Sequence, residues 1–99
     1  MLNIVKRVEN GCTVIAPQGR LDTNTNGELE TALQAVVDTT DNLVLDFEKL
    51  EYISSSGLRV LLSAQKAMAK HGTMKLIHVG DAIMEIFDIT GFSEFLTIE

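Results

Sequence analysis

The sequence predicts a single α/β domain: a mostly parallel sheet of four or five strands, opened by an N-terminal hairpin and covered by packed helices. Three observations carry that expectation. Two Val- and Ile-rich runs flank Asn10-Gly11, a pair that tolerates positive φ at both central turn positions and so marks a hairpin. After them, extended apolar runs alternate with segments of helical period, and strand–helix–strand units close through right-handed crossovers onto parallel neighbours. The length of 99 residues suits one hydrophobic core and not two, so residues 1–99 are expected to form one domain.

Taken in order, Leu2–Val8 and Cys12–Ala16 are the hairpin strands. Pro17 cannot donate to a ladder, so the second strand is expected to end or bulge there. Gly19-Arg20-Leu21-Asp22 leads into Thr23-Asn24-Thr25-Asn26, where Thr25 with Glu28 reads as a capping box. The helix that follows places Leu29, Leu33, Val36 and Val37 on one face. Asp38–Asn42 is a polar turn before the strand Leu43–Phe47.

An acidic turn and three serines then open a second helix. Leu58, Leu61, Leu62, Met68 and Ala69 share one face of it, interrupted by Gln65, with Val60, Ala64 and Ala67 on a lesser stripe. His71-Gly72 ends it, the glycine reading as a left-handed cap. Met74–Val79 is a strand, Gly80-Asp81 starts a short helix carrying Ile83, Ile86 and Phe87, and Gly91 stops that helix. Phe95–Ile98 reads as one last short strand.

Composition narrows the function. With 45% hydrophobic and 22% charged residues the chain belongs with globular proteins rather than disordered ones. A net charge of −6 argues against nucleic acid or an anionic membrane surface, which are held by basic stripes. The one cysteine, Cys12, excludes an internal disulfide and a multi-cysteine metal site. Alternating with Val14 and Ala16, it reads as a small buried hydrophobe. No apolar run approaches the ~20 residues of a spanning helix, and Met1–Val8 lacks the apolar core of a signal peptide. A soluble, cytoplasmic chain is expected.

No motif points to catalysis. His71 and His78 do not recur at a metal-ligating spacing, and the glycines fit neither a phosphate-binding loop nor a dinucleotide fingerprint. Ser55, His78 and Asp46 could be assembled as a nucleophilic set, but the serines lack the leading glycine of a nucleophile elbow. No enzyme activity, cofactor or metal is expected.

The segment Leu43–Leu62 is the informative one: a buried strand, an acidic turn, Ser54-Ser55-Ser56-Gly57, then an amphipathic helix. The first turn of a helix leaves N–H groups unpaired and carries the positive end of the dipole, so this spot suits a phosphate. The plain structural reading is an N-cap worth about 1 kcal/mol.

Gly19-Arg20-Leu21-Asp22, then Leu43-Val44-Leu45-Asp46-Phe47, then Tyr52-Ile53-Ser54-Ser55-Ser56-Gly57-Leu58, in this order and spacing, resembles the STAS domain family. More narrowly, it resembles the bacterial anti-sigma factor antagonists. The likeness runs on through Leu76–Val79 and Ile86-Phe87-Asp88-Ile89-Thr90-Gly91. It implies a STAS-type domain that regulates sigma-factor-dependent transcription without catalysis of its own. An anti-sigma factor serine kinase would phosphorylate it, a PP2C-type phosphatase would reverse this, and the unphosphorylated form would sequester the kinase. The resemblance puts the phosphorylated serine at Ser55 and the partner surface at Asp22, Thr23, Asn24, Ser54, Ser55, Ser56, Gly57 and Leu58, on a monomer or weak homodimer. Ser54 stands where the family often has aspartate. Related domains often continue into another helix, whereas the sequence ends at Glu99, so that side of the sheet is expected to be less covered. The alternative implied role is a STAS accessory subunit of a transporter or signalling assembly, with Ser55 only a cap and Leu58 and Leu62 a permanent contact.

Overall fold

The computed structural model describes residues 2–99. The chain runs β1 (Asn3–Glu9), β2 (Cys12–Leu21), α1 (Asn26–Gln34), β3 (Asn42–Asp46), β4 (Leu50–Ile53), α2 (Ser55–Met68), β5 (Thr73–Ile77) and α3 (Asp81–Thr90), then a 3-10 turn at Phe92–Glu94. The five-stranded sheet has the order β1-β2-β3-β5, with β4 also on β2. Among the described residues only the β1–β2 pair is antiparallel; β2–β3, β2–β4 and β3–β5 are parallel. The expected architecture is thus observed. Met1, where the N-terminal leader reading begins, lies outside the described residues.

The hairpin forms as its turn chemistry requires, with φ of 51° at Asn10 and 80° at Gly11. Pro17 corrects one expectation, because β2 neither ends nor bulges there. Thr13–Ile15 pair with β3 and Gly19–Leu21 with β4, so Pro17 falls between two ladders. No partner is waiting for its missing N–H. The register shift comes two residues later, between Gly19 and Arg20, where Gly19 has φ 107°.

Strand alternation divides the sheet into two unlike faces. Ile15, Leu43, Leu45, Met74 and Leu76 join Leu29, Leu33, Leu61, Met68, Ile83 and Phe87 in one core, so all three helices cover one face. The other face carries Arg7, Val14, Val44 and Asp46, and Val14 and Val44 stand outside that core. In α2 the buried positions are Gly57, Leu58, Val60, Leu61, Ala64 and Met68. Ala69 is exposed and Leu62 half-buried, so the expected main stripe is rotated toward the one read as lesser.

Four further expectations are corrected. Gly72 is not a left-handed cap. It has no positive φ, and a Cβ there would strike the Asp41 backbone, 2.9 Å from its Cα. The left-handed cap appears at Gly91 instead, φ 80°. Thr25 precedes α1 but makes no side-chain cap bond; its hydroxyl donates to the Arg20 carbonyl at 2.8 Å, so no capping box forms. The last strand reduces to one parallel bridge, Leu76 with Ile98. Cys12 is half-buried rather than enclosed.

Candidate functional site

The second half of β2 and all of β4 run parallel, Arg20 opposite Tyr52 and Leu21 opposite Ile53. They end level, so the two loops that follow meet at the carboxyl end of the sheet. From β2 the chain passes through Asp22–Thr25 into α1; from β4 it passes through Ser54 into α2. The Ser54 N–H donates to the Leu21 carbonyl at 2.9 Å, which ties the two loops together.

Ser54 caps α2. Its backbone is extended (φ −93°, ψ 173°), and its Oγ accepts from the Gly57 N–H at 3.3 Å. The cap is therefore Ser54, not Ser55. Ser55 is the first helical residue and is exposed. Among the described residues its hydroxyl has no hydrogen-bond partner, and neither do the N–H groups of Ser55 and Ser56. A free hydroxyl and two free donors thus stand at the positive end of a 14-residue helix.

Gly57 lets that helix sit close to the sheet. A Cβ at this position would come 2.9 Å from Ile53 Cγ1 and 3.0 Å from Leu21 Cγ. Gly57 and Leu58 are both buried, Leu58 to 3% exposure. Of the expected partner surface, these two residues are buried and seat the helix against the strands.

In the facing loop Asp22 is half-buried and turned inward, its Oδ1 accepting from the Asn24 N–H at 3.0 Å and its N–H donating to the Thr25 hydroxyl oxygen at 2.9 Å. The Asp22 carbonyl accepts from the Thr25 and Asn26 N–H groups. The loop is thereby held, with Thr23 and Asn24 exposed. Beside it, the Arg20 guanidinium lies 4.4 Å over the Tyr52 ring. Sequence reading missed this cation–π pair, since only the β2–β4 register brings the two residues together.

The Ser55, His78 and Asp46 set is not assembled. His78 Nδ1 does reach Asp46 Oδ1 at 3.0 Å, but among the described residues no hydrogen bond links either to Ser55. The Asp46–His78 pair has its own electrostatics. Burial pushes the Asp46 carboxyl up, yet the hydrogen bonds from His78 and the Glu48 N–H, with the charges of His78 and Arg7, hold it below its usual range. The hydrogen bond to Asp46, then its charge, hold the His78 imidazole above its usual value. His71 instead places Nε2 3.2 Å from the Thr40 carbonyl.

This geometry and the comparisons with known proteins agree on the class. The family model for the STAS domain matches residues 3–99, and the chain belongs to the STAS domain family. It is 35% identical over 85 residues to BtrV of Bordetella bronchiseptica, described as an anti-sigma factor antagonist, covering 84% of this chain and 73% of that one. The anti-sigma-B factor antagonist of Staphylococcus aureus is 27% identical over 99 residues, covering 98% and 92%. The crystal structure of an anti-sigma factor antagonist from Mycobacterium paratuberculosis superposes with a TM-score of 0.92 at 25% identity, over 99% of this chain and 85% of that one. Among the described residues no helix is long and apolar enough to cross a membrane.

Proposed function

We propose that this chain is an anti-sigma factor antagonist, a binding module without catalysis of its own, switched by phosphorylation of Ser55. It binds an anti-sigma factor serine kinase in the cytoplasm through the exposed parts of the paired loops: Thr23, Asn24, Ser55 and the rim of Ser54 and Ser56. The observation that carries this reading is the state of Ser55, an exposed hydroxyl without a partner among the described residues, at the start of a helix already capped by its neighbour.

The physics of the switch follows. Phosphorylation adds roughly −1.5 to −2 charges to a chain of net charge −6. The new oxygens face the free N–H groups of Ser55 and Ser56, and the dipole favours them by about 0.3–1 kcal/mol. The fold tolerates the modification. A docked partner does not, because burying a doubly charged group without a matching cation costs several kcal/mol. A PP2C-type phosphatase restores the binding form. The alternative reading, a permanently docked accessory subunit, is less favoured, since of its two contact residues Leu58 is buried and Leu62 half-buried.

The test is a pull-down from the native cell with wild-type and Ser55→Asp chains, combined with phosphosite mapping after incubation with the captured kinase and ATP. Capture of an ATP-binding serine kinase by wild type, weakened in Ser55→Asp, with one phosphate on Ser55, is expected. Phosphate on Ser54 or Ser56 would refute the residue, and equal capture by both forms would refute the switch.

A further inference from the structure

We propose that Asp46, Glu48 and His78 form a binding site for one divalent transition-metal cation of the zinc type, on the helix-free face of the sheet. One donor atom from each residue lies within 4.8 Å of the other two. Two donors of a four-coordinate ion at ~2.0–2.2 Å stand ~3.3–3.6 Å apart, so His78 Nδ1 and Asp46 Oδ1, now 3.0 Å apart, need little movement. The Glu48 side chain is exposed and free to swing, while its N–H, 3.1 Å from Asp46 Oδ1, holds it beside Asp46.

Asp46 would offer the ion its second oxygen. It is only 9% exposed, and both its hydrogen bonds fall on Oδ1. Among the described residues Oδ2 takes none and meets only the Arg7 guanidinium, Nη2 at 3.7 Å. The Asp46 carboxylate, its side chain 11% exposed, thus keeps one oxygen free of hydrogen bonds, facing Arg7 and beside an imidazole and a second carboxylate. One imidazole nitrogen and two carboxylates suit zinc-type ions, whereas magnesium and calcium prefer all-oxygen sets of six or more. With three protein ligands the fourth position is left to water.

The groups facing His78 set the chemistry: Asp46 from β3, Glu48 from the β3–β4 turn and Arg7 from β1, with Lys49 lining the same groove. The ion must displace the proton from Nδ1, so binding weakens as pH falls. Arg7 opposes the ion by charge and keeps the affinity moderate.

Isothermal titration of the chelator-treated chain with Zn²⁺ alone tests this, with circular dichroism to show that each variant is folded. One ion per chain is expected. His78→Ala and Glu48→Gln should each lose about tenfold or more in affinity; both side chains are exposed, so the fold should survive. His71→Ala and Cys12→Ser should bind as wild type, and Arg7→Ala should bind several-fold tighter. Saturable uptake unchanged by His78→Ala, uptake lost in Cys12→Ser or His71→Ala, no tightening in Arg7→Ala, or no saturable uptake at all would each overturn the assignment. The serine loops take no part, so failure here leaves the proposed phosphoswitch standing.

Discussion

At the carboxyl end of the sheet, β4 hands the chain to α2 through Ser54 alone, and β5 hands it to α3 through His78, Val79 and Gly80. Hydrogen bonds and close packing hold the first connection: Ser54 N–H to Leu21, Ser54 Oγ from Gly57, and a glycine against Ile53 and Leu21. No titratable side chain takes part. The second rests on charge. His78 occupies a left-handed backbone conformation, φ 56°, unusual for a residue with a Cβ. Gly80 gives α3 no side-chain cap, and the imidazole is held by Asp46. The comparison teaches where a charge can be added. If the two proposals hold, an acceptor on the packed connection would change the surface without loosening the fold, while the other connection would respond to protons and cations.

The sharpest way to break this contrast is Gly57→Ala. Its methyl would meet Ile53 and Leu21, both buried side chains, and overpacking of this kind costs about 1–3 kcal/mol. Part of that is returned because alanine is the better helix former, by about 0.5–1 kcal/mol. A net loss of about 1–2 kcal/mol in denaturant unfolding is expected. A neutral or stabilising result would show that α2 can ride outward from the strands.

Removing the cap comes next. Ser54→Ala leaves the Gly57 N–H without its acceptor and should cost about 1 kcal/mol, measured in the same way. The Ser54–Gly57 bond is part-buried at 3.3 Å, and a loss near zero would mean that water replaces it without penalty.

What could be read beforehand follows from locality. The hairpin, the starts of α2 and α3 and the core face of α1 were legible because turn chemistry and helical period act within a few residues. β4 was not: in Leu50-Glu51-Tyr52-Ile53 only the first and last residues are buried, a spacing that breaks strand alternation. Thr25 carried a capping signature that Asp22 and the Arg20 carbonyl diverted. Gly72 matched a cap by position, while its actual constraint comes from Asp41, far away in sequence. The site divides likewise. A serine at the start of α2 was readable, but which serine caps it depends on the backbone turn, and the burial of Gly57 and Leu58 depends on β2. The Asp46–His78 contact joins residues 32 positions apart, beyond the reach of any local pattern.

The β5–α3 connection is tested through pH. The folded-state pKa of His78 is raised by Asp46, so its contribution is fully present below the unfolded value of about 6.5 and is lost as pH rises through the folded one. That of Asp46 is lowered, so its contribution holds above about 3.9 and is lost as pH falls through the folded value. The pair therefore stabilises most between about 4 and 6.5. Wild type minus His78→Ala should show its largest stability difference in that window, shrinking on the alkaline side and with added salt, since the imidazole is exposed. A difference independent of pH would mean that the backbone conformation of His78, not its charge, matters.

The smallest expected effect is the most discriminating. Ser55→Ala removes a hydroxyl that bonds to nothing among the described residues and is not the cap, so stability should stay within about 0.5 kcal/mol of wild type. Ser54→Ala, one residue earlier, should lose roughly twice that. Phosphorylated wild type should melt at or slightly above the unmodified chain, because the dipole and the free Ser55 and Ser56 N–H groups receive the charge. Kinase affinity should fall by an order of magnitude or more, and Ser55→Asp should reproduce that loss only in part, a carboxylate bringing one charge and two oxygens. Measuring melting temperature and affinity on unmodified, phosphorylated, Ser55→Asp and Ser55→Ala chains separates two kinds of switch. Lost affinity at unchanged melting temperature places the effect on the surface between the paired loops. If affinity and melting temperature fall together, the first turn of α2 has come apart, and the packed connection is no more tolerant of charge than the one held by His78.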